Sequence, residues 1–363
     1  MKDKLKIMPF QIIEMEDRLV LKRGVSTMVI PDKSAMIVVR VIQKALTQGE
    51  YTAEELAALF SATVRELILS FIESLIQRNF IVPLNDTETV NRNVKENPQD
   101  IFYWHFNKYQ DDIAKQLNEK PWVFIGVNEL NKRMISAIQR EGKNSIIVVD
   151  DPGLRKIDFF DDEFSCIDPF WDQPCLQVVS DEEFKNENPN IGFMIAATEF
   201  GSFTLLDEWN EYAIHHHIPF YPAVLQNMVG YAGPLVIPDN GACLECLKHR
   251  QNSNNTEFKE KREIEKFAFQ SQHVAAYHNS MLTVLAEVSI FDLIKFSNNL
   301  QWEVGVLCEI DLLSGTMTRR KLIKAPRCKT CSGAAQKPAI NIHKQMTSDD
   351  AWKEIEQTVG YEE

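Results

Sequence analysis

The sequence predicts an α/β protein in which a small N-terminal winged helix-turn-helix precedes a larger, Rossmann-like doubly wound domain carrying a structural four-cysteine zinc site. Three observations lead there. Two Cys-x-x-Cys pairs, Cys243/Cys246 and Cys328/Cys331, stand far apart in the chain. From Pro121 onward, short apolar strands alternate with helical patterns, the order of a parallel sheet. Before that, residues 10 to 83 read as short strands, three helices and a closing strand.

Each cysteine pair sits on a Gly- or Pro-marked turn, and one such knuckle presents two thiolates to the same ion. Four sulfurs leave no coordination position for substrate or water, so zinc held by Cys243, Cys246, Cys328 and Cys331 is expected to be structural. It would pin the chain near residue 240 to the chain near 330. The other three of the seven cysteines, Cys166, Cys175 and Cys308, read as small apolar residues in a reducing compartment, and the protein is expected in the cytoplasm. No apolar run approaches the ~18 residues of a membrane span. The formal net charge of -13 argues against a nucleic acid partner and suits a small ligand, a peptide or another protein.

In the N-terminal part, Phe10–Met15, Arg18–Arg23 and Ser26–Ile30 read as strands. Ser34 is placed to cap a helix reaching Leu46, and Thr52/Glu55 and Thr63/Glu66 have capping-box spacing for two more. The third helix carries Val64, Leu67, Ile68, Phe71, Ile72, Leu75 and Ile76 at helical spacing, before Phe80–Pro83 returns as a strand. In a DNA-binding module this helix would enter the major groove, but Arg65 and Arg78 are cancelled by Glu66 and Glu73. The alternative is peptide recognition: an extended segment adds as a strand to Ser26, Thr27, Met28, Val29 and Ile30, against Val64, Leu67, Ile68, Phe71 and Leu75. A plainer reading has the extra apolar residues docking on the second domain.

The expected division is 1–84 for the recognition domain, 85–120 for a linker with an aromatic-rich helix from Ile101 toward Leu117, 121–333 for the α/β domain and 334–363 for a tail. In the α/β domain the first strand, Trp122–Ile125, leads into Gly126-Val-Asn128-Glu-Leu-Asn131 where a nucleotide site would have Gly-x-Gly-x-x-Gly. Asn128, Glu129 and Asn131 put side chains and a negative charge where phosphates need bare N–H groups. Asp150 or Asp151 holds the place of a ribose-binding acid. The fold reads as retained and the phosphate site as lost. His215-His216-His217 ends a helix, where cationic side chains are favoured without a metal. Phe267 to Phe296 reads as one long helix.

Gly233-Pro-Leu-Val-Ile-Pro-Asp-Asn-Gly-Ala-Cys243-Leu-Glu-Cys246, the helix from Phe267-Ala-Phe-Gln-Ser-Gln-His and Ala325-Pro-Arg-Cys328-Lys-Thr-Cys331 resemble the ubiquitin-activating-enzyme-like (ThiF/MoeB-like) family. Residues 10 to about 333 resemble in particular its bacterial peptide-modifying branch. That branch holds the adenylating enzyme of microcin C biosynthesis and the leader-peptide-binding partners of YcaO cyclodehydratases, which make thiazole and oxazole peptides. An adenylating member would have a Gly-rich loop, an arginine reaching the phosphates and a magnesium-binding Asp. Here those places hold Gly126–Asn131, Arg155 and Thr198-Glu199. The resemblance therefore implies a non-catalytic scaffold that binds a precursor's leader peptide and presents its core to a YcaO-type cyclodehydratase, with ATP not expected to bind this chain. The alternative it leaves is an adenylate-forming enzyme acting on a peptide carboxylate. Members of the family often form dimers, so a homodimer is also implied.

Overall fold

The computed structural model describes residues 3–84 and 98–332, apart from Asn107, Tyr109, 188–189, 254–259, 261–262, 265–274 and Arg327. The chain divides into two compact units, Met1–Lys115 and Gln116–Glu363.

In the first unit, β1 (Leu5–Ile7), β2 (Gln11–Glu14), β3 (Leu19–Arg23) and β4 (Ser26–Ile30) precede α1 (Ala35–Gln48), α2 (Ala53–Ala58), α3 (Arg65–Gln77) and β5 (Ile81–Pro83). Strands β2, β3 and β4 form an antiparallel sheet in that order, and β1 pairs antiparallel with β5, a partnership the sequence did not announce. The core is made where alternate strand residues meet the apolar helix faces: Leu19, Leu21 and Ile30 with Val39, Ile42, Leu56, Ile68, Ile72, Leu75 and Phe80.

The capping expectations fare unequally. Thr52 and Glu55 make both bonds of a capping box, at 3.2 and 2.7 Å. Ser34 makes no side-chain cap; its backbone N–H donates to the Asp32 carboxylate at 2.8 Å, so Asp32 organises the entry to α1. Thr63 does not cap α3 either, because a 3-10 turn, Ala62–Val64, intervenes. The helix expected from Ile101 toward Leu117 is two helices, α4 (Pro98–His105) and α5 (Gln110–Leu117), the first closed by Phe106 and Lys108 N–H groups that both donate to the Tyr103 carbonyl.

The second unit follows with β6 (Trp122–Ile125), α6 (Glu129–Arg140), β7 (Ile146–Asp150), β8 (Leu176–Ser180), α7 (Asp181–Glu187), β9 (Phe193–Thr198), α8 (Asp207–His215), β10 (Phe220–Gln226), β11 (Val229–Ala232), α9 (Leu244–Ser253), α10 (Asn279–Ser297), β12 (Val306–Asp311) and β13 (Thr316–Lys321). The eight strands form one sheet, in the order β13-β12-β11-β10-β9-β6-β7-β8. From β8 through β10 the pairing is parallel, and from β10 to β13 antiparallel. Strands β6, β9 and β10 are buried along nearly their whole length, as parallel strands covered on both faces must be. The strand order reverses between β6 and β9. In such sheets the crevice beyond the carboxyl ends of the two strands is where ligands sit.

Helix α6 starts at Glu129, because Asn128 caps it. Helix α10 starts only at Asn279, where the His278 side chain accepts from the Ser280 N–H; Ala275–His278 is not helical, and the expected stretch from Phe267 to Val274 lies outside the described residues, as do residues 85–97 of the linker and the tail. Among the described residues, no helix is long and apolar enough to cross a membrane.

Candidate functional site

The knuckle at the start of α9 brings Cys243 and Cys246 together, and the turn after β13 delivers Cys328 and Cys331. Their ligand atoms all lie within 4.8 Å of one another. The Sγ–Sγ separations are 3.8 Å for Cys243–Cys246, 3.6 Å for Cys243–Cys328 and 3.4 Å for Cys246–Cys331. Tetrahedral ligands at zinc–sulfur distances would be separated by about 3.8 Å. Cys243, Cys246 and Cys328 are buried, and the Ala325 N–H donates to the Cys246 sulfur at 3.3 Å. Hydrogen bonds from neighbouring thiols hold Cys246 well below the ordinary thiol range, while donation to Cys246 pushes Cys243 up. Ionised together, four sulfurs this close would repel unless a cation lay among them, so this set could hold a metal ion. The three consecutive histidines form no comparable cluster among the described residues: His216 stacks on Tyr212 at 4.2 Å between ring centroids, and His217 faces Asp239.

At the switch point between β6 and β9, the groups that would greet a ligand are already engaged. Asn128 is fully buried; its Oδ1 accepts from the Asn131 N–H at 3.0 Å, while its Nδ2 donates to the carbonyls of Leu154 at 3.0 Å and Ala197 at 2.9 Å. Asn131 Nδ2 donates to the Ile125 and Gly126 carbonyls, each at 2.7 Å. Gly126 has φ +103°, and a Cβ there would meet Asn128 Nδ2 at 2.7 Å and Leu154 Cβ at 2.8 Å, so this one glycine is required. Across the crevice, Glu199 follows β9, and its Oε2 accepts from the Leu130 N–H at 2.8 Å. Lys156 Nζ is 3.2 Å from Glu199 Oε1, and the Tyr277 hydroxyl donates to the same oxygen at 3.4 Å. Burial pushes the Glu199 carboxyl above the usual carboxylate range, against the pull of Lys156.

The acids after β7 are also committed. Arg155 grips Asp150 through two nitrogens at 2.6 and 2.8 Å and stacks on the Phe160 ring. Asp151 accepts from Trp209 Nε1 at 2.6 Å and from the Gly153 N–H at 2.7 Å. Thr198 Oγ1 accepts from the Phe200 N–H. The structure thus gathers Gly126, Asn128, Asn131 and Glu199 at one crevice, while Asp150 and Arg155 satisfy each other. Lys156 and Tyr277 complete the cluster, and no motif in the sequence singled them out.

In the first unit, β4 is an outer strand of its sheet among the described residues. A two-residue Gly24–Val25 turn joins it to β3 and pairs Ser26 with Arg23. Successive residues of an antiparallel strand turn their polar groups alternately toward and away from the partner. Arg78 Nη1, beyond the end of α3, donates to the Thr27 carbonyl at 3.1 Å, which puts Thr27 on the open side and Val29 with it. Val29 is 54% exposed, and on α3 Leu67 is 70% and Val64 36% exposed. Phe71 and Met28 are half-buried. Ile68 and Leu75 are in the unit's own core, and Ile30 joins them, so the side chains of these three expected peptide contacts go mainly into the fold.

No protein-family model matches the chain, and a search of curated proteins finds no match. Solved structures do match. E. coli MccB is 16% identical with a TM-score of 0.65, over 90% of this chain and 96% of that one. Microcin C7 biosynthetic enzyme MccB in complex with N-formylated MccA gives 0.66 at 16% identity, over 91% of this chain and 100% of that one. The heterocyclase TruD gives 0.59 at 14% identity, covering 95% of this chain but 47% of TruD. At these identities what is shared is the fold, and this chain has the ThiF/MoeB-like fold.

Proposed function

We propose that the chain binds the leader of a ribosomally made precursor peptide and presents the precursor's core to a YcaO-type cyclodehydratase, without chemistry of its own. The observation that carries this reading is the open side of β4, where Val29 turns its backbone N–H and carbonyl away from β3 in a unit that also exposes Leu67 and Val64. An added strand gains backbone hydrogen bonds there and sets alternate side chains against apolar surface. Residues 1–84 would serve as a winged-helix recognition domain, with Thr27, Met28, Val29, Val64, Leu67 and Phe71 touching the peptide. Residues 121–333 would form the scaffold, with zinc on the four cysteines as a structural staple. Tethering raises the concentration of the core at the partner enzyme, which supplies the ATP-driven step. The fold is shared with MccB, solved with MccA peptides, and with the heterocyclase TruD, which fits this role. A cytoplasmic location and a homodimer are parts of the same proposal.

The likeness to MccB, a biosynthetic enzyme, favours one second reading: adenylation of a peptide carboxylate. Calorimetric titration of the zinc-loaded protein separates the two. Micromolar heat from a leader peptide and none from ATP with magnesium supports the scaffold; micromolar binding of nucleotide overturns it in favour of the enzyme.

A further inference from the structure

Three donors converge on a carboxylate with no solvent exposure: the Leu130 N–H at 2.8 Å, Lys156 Nζ at 3.2 Å and the Tyr277 hydroxyl at 3.4 Å, all directed at Glu199. The first belongs to the opening turn of α6, a twelve-residue helix whose unsatisfied N–H groups and dipole favour negative charge. The place is the switch point of the sheet, where this class of fold receives anionic ligands. A helix end, an ammonium and a hydroxyl together form the donor set of an anion site. What fills it is a side chain of the protein itself.

We infer that Glu199 is a built-in anion seated where a ligand's phosphate would bind, so that the chain excludes nucleotides by occupancy of an intact donor set. This deepens the scaffold reading and rests on it. A site lost by erosion would lack its donors, whereas here the Leu130 N–H and Lys156 remain and point inward. Asn128 reinforces the exclusion from the other side, since its bonds to the Leu154 and Ala197 carbonyls tie the loop after β7 and the end of β9 to the start of α6. Glu129, the other acid at this helix end, is drawn off by Arg133 at 2.8 Å and leaves the donors to Glu199.

The test uses inorganic pyrophosphate as the probe, titrated into the full-length zinc-loaded wild type and into Glu199→Ala, Glu199→Ser and Glu199→Ala/Lys156→Ala. Wild type is expected to show no saturation below millimolar pyrophosphate. Vacating the seat should raise affinity at least tenfold and make pyrophosphate lift the melting temperature, and the double variant should lose both gains. A Glu199→Ala chain that folds only when pyrophosphate is present also supports the inference. A folded Glu199→Ser protein with no gain overturns it, as does wild-type binding of magnesium-ATP that requires Glu199. Leader binding is measured on the same samples. Intact leader binding without any anion gain sinks this inference alone, while an anion gain in a protein that binds no leader sinks only the scaffold reading.

Discussion

The outer side of β4 and the crevice between β6 and β9 are both places where a backbone offers hydrogen bonds at the end of a regular element, and the chain treats them in opposite ways. At β4, Val29 turns its N–H and carbonyl outward, and side chains that a solvated face would make polar are Val29 and Leu67. At the crevice, the Leu130 and Asn131 N–H groups and the Ala197 carbonyl are met by Glu199 and Asn128 from inside the protein. Binding capacity resides in groups left unsatisfied by folding, because each satisfied group must first give up a bond worth roughly 1 kcal/mol. The comparison therefore separates a region whose backbone groups folding leaves open from one whose groups are spent on stability.

The largest effect should come from the closed unit. Cys328→Ser is expected to lose the metal and lower the melting temperature steeply, since metal sites of this kind contribute on the order of 10 kcal/mol to folding. Unchanged zinc content by atomic absorption would dissolve the four-cysteine site, and leader binding should fall far less than stability does. Gly126→Ala is next: with φ +103° and Cβ contacts under 3 Å, it should cost more than about 2 kcal/mol in denaturant unfolding. A neutral result would mean that the crevice is looser than its hydrogen bonds imply.

On the open side, Val29→Pro removes an N–H that β3 does not use, so the sheet should tolerate it. We expect about a tenfold loss of leader affinity from that missing bond, with zinc content and melting temperature nearly unchanged. Normal affinity would move the peptide elsewhere and break the comparison. The smallest effect concerns acidity at Glu199. Its folded carboxyl titrates above the unfolded one, so between those two values the folded state binds more protons and stability rises as pH falls. Lys156, Tyr277 and Glu129 face this group. Relative to Glu199→Gln, which lacks the titration, wild type should gain stability as pH drops from 7 into the carboxylate range. A flat difference between the two curves would show that Lys156 fully compensates the burial.

How much could be read from the chain depended on how far apart the interacting residues were. Thr52 and Glu55 act across one helical turn, and their spacing was sufficient. The cysteine knuckles were equally legible, because two thiols on one turn leave few other uses. Thr63 misled because spacing does not reveal whether a turn is α or 3-10, and the hydroxyl is used locally, 3.0 Å from that of Ser61. The loss of a glycine-rich loop was visible at Asn128 and Asn131. The replacement was not: Glu199 reaches the Leu130 N–H across 69 residues, and Tyr277 reaches Glu199 across 78. Periodicity marked α3 as having surplus apolar residues, yet only coordinates distinguish Leu67, which faces outward, from Ile68 beside it, which packs inside.

The cysteine cluster has one more consequence. Cys243 and Cys328 are 85 residues apart, and between them lie α9, α10, β12 and β13. A clasp at that position turns an open stretch of chain into a closed ring, and cross-links over loops of such length restrict the unfolded chain by about 4 to 5 kcal/mol. An ion held by all four sulfurs would thus clasp the stretch that carries α9, α10, β12 and β13 at both of its ends. Without that ion the same stretch would be held by the pairing of β11, β12 and β13 and by packing alone.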